Sequence, residues 1–323
     1  MKSVGITGPP GSGKTTLWRA VTGGDARGEI AVVDVPDSRL GVLGRMERSR
    51  REVPIQIQVV DVHAAARTAA AALGELRKMD ALLLVVPAFG GQDPSAALGS
   101  FEDDLILADL GPFENRLERA RKDAASRSEV PALEAAVAHL ESGQPLRSRS
   151  WESEEVRVFA PMASITLKPI VVVRNVDEAG LGEVDSTDLA LPSFAVSAAL
   201  EAEVAGLDAG EAGTLLQAYG IEEPVLGRVI DAVYRLLDLI TFFTAGEKES
   251  RAWEVRRGAL APEAAGVVHS DIQRGFIRAE IISYDDLVAA GSWNAAKARG
   301  VLRLEGKDYR MNEGDVCHFR FAV

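Results

Sequence analysis

A glycine-rich segment near the N-terminus has the residue types and the spacing needed to bind phosphate. Residues 8–15 read Gly-Pro-Pro-Gly-Ser-Gly-Lys-Thr and match G-x-x-x-x-G-K-[ST] at every fixed position. Glycines let backbone N–H groups converge on phosphates, and a following helix presents the positive end of its dipole. Lys14 is expected to reach the β- and γ-phosphates, and the Thr15 hydroxyl to ligate Mg²⁺. The predicted phosphate site comprises Gly8, Pro9, Pro10, Gly11, Ser12, Gly13, Lys14, Thr15 and Thr16; a glycine-rich turn without a ligand is the alternative.

The apolar pattern of the N-terminal half predicts the elements that would position this loop. Strands are predicted at 3–7, 30–35, 53–61, 80–86, 169–174 and 193–196, and helices at 14–22 and 63–78. The strand at 80–86 is apolar throughout, as expected of a central strand in a parallel sheet. Strands that alternate with helices predict the α/β class, with a doubly wound and mostly parallel sheet of the P-loop NTPase type.

Two further regions depart from this alternation. It stops near 111–112, and charged helical patterns follow at 113–125 and 130–141. A thin apolar stripe along them favours an inserted α-helical hairpin; it consists of Leu117, Leu133, Val137 and Leu140. After an amphipathic helix predicted at 224–239, short strands and turns indicate another domain. We predict a nucleotide-binding domain at 1–112 and 166–238, a helical insertion at 113–165 and a C-terminal domain at 239–323.

Bulk composition limits the class of protein. The 323 residues are 47% hydrophobic and 26% charged, which is ordinary for a globular chain. The single cysteine, Cys317, excludes an intramolecular disulfide and a multi-cysteine zinc site. No apolar run is long enough for a membrane span or a signal peptide, so we expect a cytoplasmic protein without a membrane partner. A net charge of −12 argues against non-specific coating of nucleic acid, and no DNA partner is expected.

The C-terminal segment resembles the YchF-type proteins of the Obg-related family. The resemblance is carried by the segments 239–249, 251–253, 266–271, 275–280, 284–287, 304–309 and 318–321. The resemblance implies a TGS-type β-grasp domain, which in similar proteins is associated with ribosome or RNA contact. The N-terminal half matches more loosely, at 35–40, at 107–110 and at 196–199 with the acidic residues that follow.

The nature of the base is predicted from the loop after the strand at 169–174. Guanine-specific proteins use Asn-Lys-x-Asp there, whereas residues 175–178 read Asn-Val-Asp-Glu. The extra methylene of Glu178 displaces the carboxylate by more than 1 Å, on the order of a C–C bond, enough to spoil paired hydrogen bonds to guanine. Members of the resembling family carry a similar loop and favour ATP, so ATP is predicted over GTP. A polar turn at the strand end, without contact to the base, is the alternative for this loop.

The resemblance implies further contacts to the base. Phe89 matches a family aromatic that stacks on adenine, although core packing is an equally good reading of a lone phenylalanine. The stretch at 196–199 matches the base-side loop. The predicted base site is therefore Phe89, Asn175, Val176, Glu178, Ser197, Ala198 and Ala199.

The hydrolytic machinery is predicted to be reduced. Asp61 ends an apolar strand and should hold Mg²⁺ through water. The usual Asp-x-x-Gly reads Asp61-Val-His-Ala here, and no glutamine follows to orient water. Compared with the family, the segment 23–29 is short and lacks a threonine, and alanine-rich residues 64–73 replace a glycine- and lysine-rich switch. His63 is either a polar group near the γ-phosphate or a structural residue.

These observations predict a nucleotide-dependent regulatory switch. Lys14, Asp61 and His63 form the predicted catalytic set, and Thr15 and Asp61 the predicted metal set. The expected cofactors are ATP (or GTP) and Mg²⁺, with slow hydrolysis because switch elements are missing. The ribosome or an RNA-associated factor is the expected partner, through the TGS domain and the helical arm, and a monomer is expected. The alternative is a nucleotide-binding scaffold without significant hydrolysis.

Overall fold

The computed structural model describes residues 1–23, 28–66, 68–182, 189, 191–221 and 224–322. The strands are β1 Lys2–Thr7, β2 Ile30–Asp34, β3 Glu52–Val53, β4 Gln56–Asp61, β5 Ala81–Pro87, β6 Ile170–Asn175, β7 Ser193–Val196, β8 Leu239–Thr244, β9 Ser250–Arg256, β10 Phe276–Ser283, β11 Arg303–Glu305 and β12 Asp315–Phe321. The helices are α1 Lys14–Val21, α2 Ser38–Glu47, α3 Val62–Ala65, α4 Ala69–Lys78, α5 Pro94–Lys122, α6 Val130–Glu141, α7 Ser153–Phe159, α8 Ala198–Val204, α9 Ala209–Ala218, α10 Val225–Leu236, α11 Ala261–Val268, α12 Ser270–Arg274, α13 Tyr284–Ala290 and α14 Trp293–Ala298.

Contacts divide the chain into two compact units. One unit, called the nucleotide unit after the function predicted from the sequence, consists of Lys2–Val33 and Gln58–Ala232. The other, the C-terminal unit, consists of Met1, Asp34–Ile57 and Val233–Val323. Residues 34–57, placed by the sequence analysis in the nucleotide-binding domain, thus group with the C-terminal residues. The predicted segment 23–29 lies partly outside the described residues.

The nucleotide unit has the predicted α/β architecture with a mostly parallel sheet. Its strand order is β2-β4-β1-β5-β6-β7. The pairs β1–β5, β5–β6 and β6–β7 are parallel, and every residue of β5 is buried. At the two ends of the β2–β4 pair, Val35 N–H donates to the Ile55 carbonyl at 2.8 Å and Asp61 N–H to the Glu29 carbonyl at 2.8 Å, so these two strands run antiparallel. The carboxyl ends of the parallel strands therefore meet at one edge, where ligands bind in such sheets.

Most strand predictions are confirmed to within one residue, but two elements are interrupted. The strand predicted at 53–61 is split into β3 and β4 around Pro54, which cannot donate to a ladder. The helix predicted at 63–78 is split into α3 and α4, because Thr68 adopts an extended conformation and its hydroxyl caps α4 by accepting from Ala71 N–H at 3.1 Å.

The prediction that a helix begins at 113 is wrong, since α5 runs unbroken from Pro94 to Lys122. Pro112 lacks an N–H, which leaves the carbonyl of Ala108 without its partner within the helix. The Arg77 guanidinium supplies that donor, with Nη2 at 2.8 Å from the Ala108 carbonyl, while Nη1 lies 2.8 Å from the buried Asp109. A side chain distant in sequence thus lets the helix pass through a residue that would otherwise end it.

The predicted helical hairpin is formed by α5 and α6. Its predicted apolar stripe is buried in one cluster with Phe113 and Phe159, whose rings meet edge to face with centroids 5.3 Å apart. The ion pair of Arg121 with Glu134 connects the two helices, and that of Arg116 with Glu129 connects α5 to the turn before α6. The hairpin therefore has a core of its own within the nucleotide unit.

The C-terminal unit contains a second six-stranded sheet, in the order β11-β10-β12-β8-β9-β3. The hairpin β8–β9 is antiparallel, and β12 pairs in parallel with β8 and antiparallel with β10. Helix α11 packs its alanine face on the core of this sheet, which completes a β-grasp arrangement. Strand β3 extends the sheet by pairing with β9 at Glu52 and Ser250. None of the helices in the described part of the chain is long and apolar enough to span a bilayer.

Candidate functional site

The glycine-rich loop between β1 and α1 depends on two glycines whose conformations exclude side chains. Gly8 has φ +144°, and a Cβ there would overlap the carbonyl oxygen of Val85. Gly13 has φ +93°, and a Cβ there would overlap the Asn175 amide nitrogen. The loop therefore lies closer to β5 and β6 than a residue with a side chain at either of these two positions would permit.

The N-terminus of α1 is open toward this loop. Gly13 occupies the cap position, and no side chain caps the helix. Its first N–H groups therefore have no partner within the helix and are oriented to bind an anion. The Lys14 ammonium lies 2.6 Å from the Pro9 carbonyl of the same loop. Burial lowers the pKa of Lys14 below 10.5, and the nearby charge of Asp61 partly opposes that shift.

Thr15 and Asp61 form a pair of oxygen donors beside the loop. The Thr15 hydroxyl donates to Asp61 Oδ2 at 2.8 Å, although 46 residues separate them in sequence. Asp61 is almost fully buried at the end of β4. A hydroxyl and a carboxylate are hard donors of the kind that Mg²⁺ prefers, so this pair fits that ion. Among described residues, no group of three or more His, Cys, Asp or Glu forms an alternative metal site.

The residues that follow Asp61 turn directly into the short helix α3. Asp61 Oδ1 caps this helix by accepting from Ala64 N–H at 3.2 Å. His63 Nε2 shares a hydrogen bond of 3.2 Å with the Thr7 hydroxyl at the end of β1. Partial burial and the Lys14 charge lower the pKa of His63 below 6.5, while Asp61 raises it, so the ring is neutral at pH 7.

On the opposite side of the loop, Asn175 at the end of β6 connects the loop to the ends of two neighbouring strands. Its Nδ2 donates to the Ser12 carbonyl at 2.9 Å, and its Oδ1 accepts from Ala198 N–H at 3.0 Å. Its own carbonyl accepts from Ala88 N–H at 2.8 Å. Asn175 is buried, so these bonds link the phosphate loop to the ends of β5 and β7.

A cavity of about 660 Å³, with both polar and apolar walls, opens around this asparagine, and its size suits a nucleoside. It is lined by Thr16, Phe89, Gly90, Asn175, Val176, Asp177, Glu178, Ala179, Ser197, Ala198 and Ala199. Phe89 is half-buried at the cavity wall and belongs to none of the described core clusters. The Glu178 carboxylate accepts from the Tyr219 hydroxyl at 2.8 Å.

A second cavity, of about 540 Å³, lies on the other side of the loop between α4 and α5. Its walls are mostly apolar, and the polar side chains are Thr7, His63, Ser100 and Asp104. Gly8, Pro9 and Pro10 form its edge toward the phosphate loop. This side therefore offers few polar groups to a ligand beyond the loop itself.

The structure brings the predicted site residues into two groups around one loop. Lys14, Thr15, Asp61 and His63 lie on the Thr7 side, and the predicted base residues line the larger cavity together with Thr16. Sequence reasoning missed Thr7, although a polar residue ending an apolar strand directly before Gly8 is a usable signal. It also missed Tyr219, for which there is no local signal because 41 residues separate it from Glu178.

Comparisons with known proteins agree along the whole chain. A family model named YchF-GTPase_C, described as a protein of unknown function (DUF933), matches residues 239–322. The chain is 38% identical to the Haemophilus influenzae protein named ribosome-binding ATPase YchF, over 99% of each chain. It is 34% identical to the Bacillus subtilis protein of the same name, also over 99% of each.

A solved structure is similar at the level of the fold. The Schizosaccharomyces pombe protein titled YchF GTPase superimposes with a TM-score of 0.88, at 29% identity, over 99% of this chain and 97% of that one. The alignment with the Haemophilus protein spans 360 positions, against the 323 residues of this chain. This chain therefore covers its relatives from end to end but with internal gaps.

Proposed function

This chain belongs to the YchF family, and we propose that it is a nucleotide-dependent switch that binds ATP with Mg²⁺ and hydrolyses it slowly. The observation that carries the proposal is the phosphate loop, with its uncapped helix terminus and Lys14 at its centre. Backbone N–H groups and one lysine provide the positive environment that a triphosphate requires.

Mg²⁺ would be held by the Thr15 hydroxyl directly and by Asp61 through water. The 2.8 Å contact between these side chains supports their acting on one ion. When bound, the ion neutralises the charge of the phosphate oxygens. Asp61, whose Oδ1 is fixed by Ala64 N–H, keeps its carboxylate oriented toward Thr15.

Adenine is favoured over guanine at the larger cavity. The amide nitrogen and the amide oxygen of Asn175 both form hydrogen bonds within the protein, so this residue stabilises the wall of the pocket. The ring of Phe89 at the wall provides a flat surface on which a purine could stack. Glu178 is a carboxylate one methylene longer than the aspartate of guanine-specific loops, which supports the choice of ATP.

Slow hydrolysis follows from the small number of polar groups around the predicted γ-phosphate position. Ala64 N–H already donates to Asp61, so it is not free to meet a phosphate oxygen. Beyond Lys14, Thr15 and Asp61, the polar side chains that line the cavity on this side are Thr7, His63, Ser100 and Asp104, and the rest of its wall is mostly apolar. Phosphoryl transfer relies on positioned charge, so turnover should be slow until a partner adds to the site.

The ribosome is the proposed partner, because relatives across the full length are named ribosome-binding ATPases. We propose that the β-grasp unit, a domain of the TGS type, and the α5–α6 hairpin provide the contacts, and that the protein is a monomer in the cytoplasm. A nucleotide-binding scaffold without turnover is the second candidate, which the engagement of Ala64 N–H favours.

The test is calorimetry with ATP and GTP in the presence of Mg²⁺, followed by phosphate release from the same samples with and without ribosomes. Tighter binding of ATP, with slow release that ribosomes accelerate, supports the switch. Retention of ATP with no release under either condition supports the scaffold. No binding of either nucleotide would refute both candidates.

A further inference from the structure

The hydroxyl of Tyr219 connects the end of α9 to the wall of the larger cavity. It donates to Glu178 Oε2 at 2.8 Å. Tyr219 directly follows α9, and Glu178 lies in the turn that follows β6. The two residues are therefore brought together only by the packing of α9 beside the strand ends.

The position of Tyr219 is fixed by packing of its ring, by its backbone and by its hydroxyl. It packs with Leu181 and Ile221 against a small cluster of buried residues formed by Leu200, Val204 and Leu216. Its backbone N–H donates to the Leu216 carbonyl at 3.0 Å. The hydrogen bond to Glu178 and the charge of that carboxylate raise the pKa of Tyr219 above 10, so the hydroxyl remains a donor at neutral pH.

The carboxylates at the wall of the larger cavity have few oxygens left to accept hydrogen bonds from a ligand. Two carboxylates line the cavity, and each already accepts one hydrogen bond from the protein: Glu178 from Tyr219, and Asp177 Oδ1 from Gly180 N–H at 3.1 Å. In the described part of the chain no group donates to Glu178 Oε1. One oxygen of Glu178 is thus oriented by the protein, and the other is left for a ligand.

Purines differ in what they offer to such a carboxylate. Guanine presents two adjacent N–H donors on its Watson–Crick edge, which two free oxygens of one carboxylate accept together. Adenine presents a single amino group there, beside a ring nitrogen that accepts. A carboxylate with one oxygen engaged elsewhere matches the single donor of adenine better than the paired donors of guanine.

We infer that Tyr219 is a positioning residue for base selectivity, which holds the Glu178 carboxylate with one oxygen directed away from the base. This inference rests on the proposed binding of ATP and deepens it. Loss of the hydroxyl would free the carboxylate to rotate and offer both oxygens, so that discrimination against GTP decreases while the phosphate contacts are unchanged.

The experiment compares the dissociation constants of MgATP and MgGTP, by calorimetry, for the parent chain and for Tyr219→Phe. We expect the ratio of the GTP to the ATP dissociation constant to fall about three- to tenfold, the effect of one ordinary hydrogen bond, because the Tyr219–Glu178 contact is exposed to solvent. Tyr284→Phe, which removes a hydroxyl in the C-terminal unit, is the matched control and should leave the ratio unchanged. A purely structural role of Tyr219 would weaken both nucleotides equally.

A double-variant cycle with Glu178→Gln locates the effect. Adding Tyr219→Phe to Glu178→Gln should change the ratio no further, because the carboxylate is already gone. An unchanged ratio in Tyr219→Phe, with the parent chain preferring ATP, overturns this inference alone. A parent chain that binds neither nucleotide, or that prefers GTP, overturns the proposed base assignment together with it.

Discussion

The two sides of the phosphate loop differ in how completely they are built. On the side of the larger cavity, buried Asn175 bonds to the loop itself and to the residues that follow β5 and β7, and a cavity of about 660 Å³ surrounds it. On the other side, beyond Lys14, Thr15 and Asp61, four polar side chains (Thr7, His63, Ser100 and Asp104) line a mostly apolar cavity of about 540 Å³. The contrast separates two requirements that enzymes usually satisfy together. Binding needs a preformed site, whereas fast turnover also needs charge placed where the reaction occurs.

The largest effect that tests this contrast should come from Lys14→Ala. Loss of the ammonium should weaken ATP binding by about a hundredfold or more, because charge-assisted hydrogen bonds to phosphate are the strongest contacts available. Calorimetry with MgATP measures the change. Lys122→Ala, which removes an exposed lysine of α5, is the control and should bind ATP like the parent. Equal binding by Lys14→Ala would refute the phosphate site.

Asn175→Ala should affect stability and binding together. Removing the amide leaves the Ser12 carbonyl and Ala198 N–H without partners, so the free energy of unfolding should fall by about 2–4 kcal/mol. ATP affinity should fall about tenfold, because the hydrogen bonds that hold the loop against the larger cavity are lost. Chemical denaturation and calorimetry give the two values. The surface variant Asn294→Ala should change neither value, and a stable Asn175→Ala protein would contradict the bracing role.

Substitutions at Thr15 should reveal the dependence on Mg²⁺. Thr15→Ser keeps the hydroxyl that contacts Asp61, whereas Thr15→Val keeps the shape and loses it. We expect Mg²⁺ to tighten ATP binding about tenfold more in the parent and in Thr15→Ser than in Thr15→Val. Titrations with Mg²⁺ and with a chelator measure this difference. The same response in all three proteins would exclude this residue as a ligand.

The smallest effects should come from His63→Asn. Phosphate release should slow only a few-fold, because the neutral ring contributes by position rather than by charge. The pKa of His63 in the folded protein is lowered below 6.5, its ordinary value in an unfolded chain. At a pH between these two pKa values, the unfolded chain therefore binds a proton at His63 that the folded chain does not. The free energy of unfolding should therefore fall as the pH drops from 7.5 to 5.5, by more in the parent than in the variant. Denaturation at both pH values tests this, and identical pH dependence would contradict it.

Much of the fold was predictable because it depends on local patterns. Apolar runs such as Ala81–Pro87 identify the central strands, and the glycine spacing identifies the loop. The helix at 113 was predicted wrongly, because Gly111-Pro112 is a strong local signal for a break. The Arg77 guanidinium overrides that signal, and no pattern near Pro112 indicates that it is there.

The sequence by itself determined the glycine-rich loop that we propose binds phosphate, because the conformation of Gly8 to Thr15 depends on residues within the segment and on the strand and helix beside it. Tertiary structure alone decided how that loop is braced and which groups line the larger cavity. Asn175 reaches Ser12 across 163 positions, and Tyr219 reaches Glu178 across 41. Such contacts form only when strand ends and helices pack together. The residues next to each side chain in the sequence do not indicate which distant group it will bond to.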